Sequence, residues 1–379
     1  MNLVSLEIFP VTLAFIALYW LLPRRPQLYF LVASTAAFLI YQGYESTFML
    51  LSLLTGASYL CANRLGDTFG TKTVALLGVA AIAAFLFLYK LTLQLVDFQF
   101  VIVGASYFSL RLIHYLIESS RKKLPSHDFI EFVAYCFFLP TFFVGPINRF
   151  GEFVRDERRR RWDYRLFHTG LERILFGYFK VMVLANYLVD VKLATYIESI
   201  GGEATAAGAW LLCVEYGLDL YFRFGGYCDV AIGISALLGF RILENFNYPF
   251  IRKNIGAFWQ SWNISLSSWC RDYIFTPAAY TLRSPSTGVL LSMLVLGIWH
   301  EVSLRYIVWG LYHGVGIIVF QFWVHIKARW SLEGVLPGYF SVPLGVIITF
   351  NFVILSFSIT RTESLMAASE VFRTILGVD

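Results

Sequence analysis

Apolar residues in this chain come in long runs, and polar residues gather between the runs instead of alternating within them. Such runs lie at 6–22, 28–41, 46–61, 73–90, 99–117, 169–190, 205–222, 287–300, 302–325 and 339–359. About 20 apolar residues in a helix cross the roughly 30 Å hydrocarbon layer, with every backbone N–H and C=O satisfied inside the helix. The pattern predicts helical membrane spans along most of the chain. Two stretches interrupt it. FIEFVAYCFFLPTFFVGP (129–146) is apolar but contains Pro140 and Gly145-Pro146, and residues 227–275 mix short apolar pieces with polar side chains.

Charge orders the first spans. Lys and Arg collect in cytoplasmic loops. With the N-terminus outside, Arg24-Arg25, Arg64 with Lys72, and Arg121-Lys122-Lys123 share the cytoplasmic side, and the opposite loop QGYES (42–46) has no Lys or Arg. RKKLPSH (121–127) and NRFGEFVRDERRRRWDYR (148–165) are both basic, so 129–146 should not cross between them. It is expected to enter and leave on one side, turning at Pro140 and Gly145-Pro146 while buried in protein. MNLVSLEIFP lacks a basic n-region and a small-residue cleavage site, so it should lead into a retained first span. The Arg158–Arg161 run is flanked by acids and is expected to be a solvated juxtamembrane loop; an acidic partner or lipid headgroups are the alternative.

Composition agrees with the pattern. The chain is 58% hydrophobic and 15% charged, against about 25% charged in soluble domains. The expectation is an all-α polytopic membrane protein of about 10–12 transmembrane helices with re-entrant segments around a central polar tunnel. It forms one integral-membrane domain, 1–379: N-terminal helices in 1–125, a core in 126–325, and a C-terminal helix and tail in 326–379. The net charge of +5 reflects cytoplasmic loops and not a nucleic-acid surface. Cys61, Cys136 and Cys213 sit within apolar runs, which argues against a disulfide framework.

Two polar islands remain. With 258–272 on one helix at 100° per residue, Gln260, Asn263, Ser267 and Arg271 share one stripe, joined by Cys270, and Trp259, Trp262, Leu266 and Trp269 form the next. Such a helix either lies at the interface or turns its polar stripe to a wet cavity inside the bundle. The second island, LGIWHEVSLRYIVWGLYHG (296–314), holds His300 and His313. Imidazole suits proton transfer near neutral pH, although a single histidine at a helix end is more often an interfacial or capped residue. The same holds for His114, His127, His168 and His325. No HxxxH or CxxC spacing suggests a metal, and no GxxxxGK[ST] or GxSxG motif is present. Proton transfer and positioning are left as the available chemistry.

The block FGGYCDVAIGISALLGFRILENFNYPFIRKNIGAFWQSWNISLSSWCRDYIFTP (224–277) resembles the centre of the membrane-bound O-acyltransferase family. LGIWHEVSLRYIVWGLYHG, SYFSLRLIHYLIE (106–118) and FFLPTFFVGPINRFGEF (137–153) resemble further elements of it in the right order. The bacterial branch with alginate O-acetylation and D-alanyl transfer proteins is the most similar. The resemblance implies an enzyme of the bacterial cytoplasmic membrane that moves an acyl group onto a hydroxyl. His300 corresponds to the essential histidine, His313 to a supporting one, and Asn263 to a position that is His in this branch and Asn in many eukaryotic members. Glu301 and Arg305 depart from the pattern and put charge beside His300.

On this reading His300 is the general base and Asn263 donates an N–H to the acyl carbonyl. Trp259, Gln260, Ser267, Arg271, Asp272, Trp299, His313 and Asp229 are expected to contact substrate. A relay through Cys270 is disfavoured, because only Arg271 stands near enough in sequence to activate the thiol. No bound cofactor is expected; the acyl thioester, acetyl-CoA or an acyl carrier protein, is a substrate on the cytoplasmic side. A periplasmic acyltransferase or carrier protein and membrane lipids are the expected partners. Acetyl transfer to an exported polysaccharide leads, followed by D-alanyl transfer toward teichoic acid and lysophospholipid acylation. A non-catalytic conduit or scaffold is the reading from another class.

Overall fold

A computed structural model describes residues 8–65, 69–95, 102–331 and 337–378. Residues 6–7 and 99–101 of two predicted spans lie outside the described residues. Among the described residues the chain is all helix, and its only β pairing is an isolated bridge between Phe246 and Trp262. In chain order the helices are α1 Ile8–Leu21, α2 Arg24–Tyr41, α3 45–65, α4 Thr71–Leu95, α5 Ala105–Ser120, α6 Phe129–Cys136 and α7 Phe150–Arg159. They continue as α8 Tyr164–Ser199, α9 Ala206–Leu237, α10 Ile255–Trp259, α11 264–281 and α12 Pro285–His300. The last three are α13 Leu304–Arg329, α14 Gly338–Arg361 and α15 Leu365–Leu376. Helices α4, α8, α13 and α14 are long and apolar enough to cross a membrane, and α12 is a shorter apolar helix.

The chain divides into two compact units, Met1–Tyr178 with Gly226–Leu243, and Phe179–Gly225 with Glu244–Asp379. In the first unit, 129–146 is not a span-length helix. Helix α6 starts with a capping box between Asp128 and Glu131, stops at Cys136, and gives way to a short turn at Leu139–Thr141. The open backbone there is buried, and Arg111 satisfies most of it. Its guanidinium donates to the carbonyls of Tyr135 at 3.3 Å, Cys136 at 3.1 Å and Thr141, and to Thr141 Oγ1 at 2.6 Å. Irregular backbone in an apolar environment survives only when protein supplies the missing hydrogen bonds; here a buried cation supplies most of them and Thr35 Oγ1 one more, to the Phe137 carbonyl at 2.5 Å.

The same unit explains why α9 runs on through 227–237, where the polar pattern suggested a break. Glycines at 226 and 233 on α9 face glycines at 177 and 170 on α8. A Cβ on Gly177 would lie 2.6 Å from the Gly226 carbonyl oxygen, and one on Gly233 would lie 2.6 Å from that of Gly170. The close crossing sets Arg173 against Asp229, 2.6 Å apart, midway between the glycine contacts. The polarity that looked like an interruption is an ion pair clamped inside a helix crossing.

In the second unit, Cys213, Val214, Ile255, Phe258, Trp262, Val353, Ile354, Phe357 and Val371 form an apolar core. Arg223 pairs with Asp219 at 2.6 Å and Asp190 at 2.7 Å and donates to Asn186 at 2.8 Å, so its charge at helix mid-length is balanced within the protein.

Candidate active site

The uninterrupted amphipathic helix expected over 258–272 is not what forms. Helix α10 ends at Trp259, and the chain turns before α11 begins at residue 264. The turn depends on Asn263, whose φ of +44° and ψ of +55° fall in the left-handed region that asparagine tolerates better than most residues. As the residue preceding α11, Asn263 would ordinarily cap the helix with its own side chain. Asn245 does this instead: its carbonyl accepts from Ile264 N at 2.9 Å and its Oδ1 from Ser265 N at 3.1 Å. The Asn263 carboxamide is thereby released from capping. It is 5% exposed, and its Oδ1 has no hydrogen-bond partner among the described residues.

The break scatters the predicted stripe. Gln260 is exposed in the turn. Ser267 donates to the Trp262 carbonyl at 2.9 Å. Arg271 and Asp272 form a mostly exposed ion pair at 3.0 Å, an arrangement that contributes little to stability. Asp229 lies in the first unit, where Arg173 accounts for its burial. Cys270 is buried.

His300 is the last residue of α12, and α13 starts four residues later behind Ser303, which caps it. The two helices touch through glycine. A Cβ on Gly297 would lie 2.2 Å from the Tyr306 carbonyl oxygen, and one on Gly310 would lie 2.5 Å from that of Met293. This approach sets His300 among aromatic rings while leaving it exposed: Trp299 at 4.9 Å, Trp309 at 5.6 Å and Tyr306 at 5.9 Å between centroids. Trp309 continues to His313 at 4.9 Å and Trp259 at 5.9 Å, and Trp259 lies 5.2 Å from His313. His300, His313, Trp259 and Trp299 thus belong to one aromatic cluster.

Polar atoms of this cluster, and the Asn263 carboxamide oxygen on the turn after α10, are left over. The indole N–H groups of Trp259 and Trp309, His313 Nδ1 and Asn263 Oδ1 are all buried without a hydrogen-bond partner among the described residues. Buried polar groups in folded proteins are nearly always paired, and three of these atoms belong to rings of the one cluster: Trp259, Trp309 and His313. His313 Nε2 does have a partner, Ser356 Oγ at 3.0 Å.

The two charges beside His300 are set against each other. Arg305 donates to Glu301 at 2.7 Å, to the Thr360 carbonyl at 3.2 Å and to the Thr362 carbonyl, and it lies over the Tyr306 ring at 5.2 Å. Glu301 also terminates α12 through its backbone N–H to Gly297. The pair ties the His300 end of α12 to the C-terminus of α14. The remaining histidines have local roles. Nε2 of His114 accepts from Phe150 N, His127 sits between Tyr115 and the Pro125 carbonyl, His168 faces Glu172, and His325 bonds the Gln321 carbonyl.

Sequence reasoning missed three residues. Trp309 was open to detection, since it stands one helical turn before His313. Ser356 and Asn245 act across the fold, and no local pattern announces them.

Residues 57–362 match the membrane-bound O-acyltransferase family. The chain belongs to this family. A probable alginate O-acetylase AlgI of Pseudomonas aeruginosa is 32% identical over 279 residues, 73% of this chain and 51% of that protein. A teichoic acid D-alanyltransferase of Bacillus subtilis is 31% identical over 277 residues, 68% of each chain. A peptidoglycan O-acetyltransferase of Helicobacter pylori is 29% identical over 262 residues, covering 66% of this chain and 47% of that protein. The chain spans about half the length of the Pseudomonas alginate O-acetylases it matches. Family membership together with the long apolar helices makes it a multi-pass integral membrane protein, and Asn263, His300 and His313 all fall inside the matched region.

Proposed function

We propose that this protein transfers a small acyl group, acetyl in the first instance, from a cytoplasmic thioester to a hydroxyl of an exported polysaccharide or of a periplasmic partner. The observation that carries the reading is the exposed His300 ring at the head of an aromatic cluster that also holds His313, Trp309 and Trp259. About 10–12 spans, some re-entrant, would surround a polar passage open to both sides. The acyl group then crosses the membrane while its soluble carrier stays behind. Acetyl-CoA or an acyl carrier protein delivers the thioester, and the bacterial cytoplasmic membrane is the natural setting.

His300 accepts the proton of the acceptor O–H as that oxygen attacks the thioester carbonyl. The tetrahedral intermediate collapses, the C–S bond breaks, and the imidazolium returns the proton to the departing thiolate. Proton transfer of this kind contributes typically about 10²–10⁴-fold. Asn263 turns its amide N–H to the oxygen that gains charge, a contribution of about 3–4 kcal/mol in a dry site. Trp259, Trp299 and His313 shape the space around the reacting atoms.

D-alanyl transfer is the second reading, favoured by a relative 31% identical over 68% of each chain. Purified protein is given radiolabelled acetyl-CoA or a D-alanyl carrier protein in parallel, and transfer to acceptor is counted. Acetyl label on the acceptor supports the first reading. Label from the carrier alone rejects it in favour of the second, and label from neither at full protein recovery leaves a conduit or scaffold.

A further inference from the structure

The basic run at the end of α7 lines a cavity of about 620 Å³ in the first unit, bounded also by the start of α8 and the turn after α9. Five arginines face it, Arg155, Arg159, Arg160, Arg161 and Arg241, against the acids Asp156 and Asp163. Five positive and two negative charges leave an excess of three.

The hydrogen bonding shows which of these charges are committed to the fold. Arg160 is buried and donates to Gln27 Oε1 at 2.6 and 2.8 Å, to Glu157 at 3.3 Å and to the Arg24 carbonyl at 3.0 Å, so it belongs to the wall. Asp156 accepts from Arg241 N at 2.9 Å and stands 3.6 Å from Arg155. Asp163 accepts from the backbone N–H groups of Arg165 and Leu166 at the start of α8. Both carboxylates are thus occupied, while the side chains of Arg159, Arg161 and Arg241 make no hydrogen bond or ion pair among the described residues.

The same segment indicates a depth. Trp162 and Tyr164, beside Asp163, are 53% and 68% exposed, and Trp162 stands edge-on to Trp20 at 5.4 Å. Exposed Trp and Tyr next to membrane spans settle at the headgroup level. Guanidinium groups are the preferred partners of phosphate oxygens, through paired N–H donors, and basic clusters at this level attract anionic lipids.

We infer that this cavity holds the phosphate of an anionic membrane lipid, gripped by Arg159, Arg161 and Arg241. The inference does not depend on the acyl-transfer reading. Full-length protein is purified in neutral detergent, stripped of lipid and titrated with phosphatidylglycerol or phosphatidylcholine, with free coenzyme A as competitor. The wild type should prefer phosphatidylglycerol. The Arg159→Gln/Arg161→Gln/Arg241→Gln variant should bind it at least about tenfold more weakly, with phosphatidylcholine binding unchanged. Equal binding of the two lipids by the wild type, which requires no variant, overturns the inference. So does undiminished phosphatidylglycerol binding by the variant. Arginine-dependent binding of coenzyme A that excludes the lipid would give the site to a soluble phosphate and equally overturn the lipid assignment.

Discussion

Nε2 of His313 lies 3.0 Å from Oγ of Ser356, and Ser356 gives its single proton to the Val353 carbonyl at 2.6 Å. The hydroxyl is therefore the acceptor and His313 the donor. A neutral imidazole with its proton on Nε2 presents an unprotonated Nδ1, the ring atom left without a partner among the described residues. One serine on α14 thus fixes which face of His313 accepts hydrogen bonds in the aromatic cluster.

Replacing that serine tests the tautomer. Ser356→Ala leaves a buried N–H unmet, at a cost of about 1–3 kcal/mol. If the Nδ1 face orients a reactant, the turnover number should fall roughly 10–100-fold, with KM for the thioester little changed. Ser356→Thr should retain most of the activity. A steady-state comparison of the three proteins decides it, and unchanged turnover in Ser356→Ala removes the positioning role.

The α12–α13 hairpin should tolerate added bulk at one glycine and not at another. A Cβ at Gly310 meets the Met293 backbone at 2.5 Å, whereas one at Gly314 meets the end of the Leu290 side chain at 3.1 Å. Gly310→Ala should cost about 1–3 kcal/mol and displace the rings around His300; Gly314→Ala should cost less. Thermal unfolding in detergent reads the difference, and equal melting of the two variants contradicts it.

Arg111 supplies most of the side-chain hydrogen bonds to the irregular segment after α6, with Thr35 donating to the Phe137 carbonyl. Arg111→Leu strips donors from three carbonyls and a hydroxyl, at about 1–3 kcal/mol for each group left unsatisfied. The variant should not accumulate as folded protein. Arg111→Lys should fare little better, because one ammonium cannot reproduce a planar fork. Size-exclusion profiles of detergent extracts are the readout, and a monodisperse Arg111→Leu peak at wild-type yield would refute the role.

Glu301 and Arg305 should behave as a unit. Arg305→Gln removes the ion-pair partner of Glu301 beside His300 and releases the carbonyls of Thr360 and Thr362. Adding Glu301→Gln should recover part of the lost stability, with a coupling of about 1 kcal/mol between the partly exposed groups. Additive losses in a double-mutant cycle would separate the pair.

What the sequence made legible was what local pattern encodes. Apolar run length gave the helical membrane class. The prolines and glycine of 129–146 gave the broken segment, and the motif blocks gave the family. The failures arose where distant residues decide. Gln260, Asn263, Ser267 and Arg271 fit a helical period, yet the helix breaks because Asn245 captures the N–H groups of residues 264 and 265. Asp229 resembled cavity polarity because its partner Arg173 sits on another helix, brought near by glycines whose spacing has meaning only in pairs. Glu301 and Arg305 read as stray charge until the fold set one against the other.

The central claim is that His300 removes the acceptor's proton, and acyl transfer by wild type, His300→Ala and Asn263→Ala at matched protein levels tests it most directly. Labelled product should drop by about 10²–10⁴-fold in His300→Ala and by a smaller factor in Asn263→Ala. Product formed by His300→Ala at the wild-type rate would contradict the account.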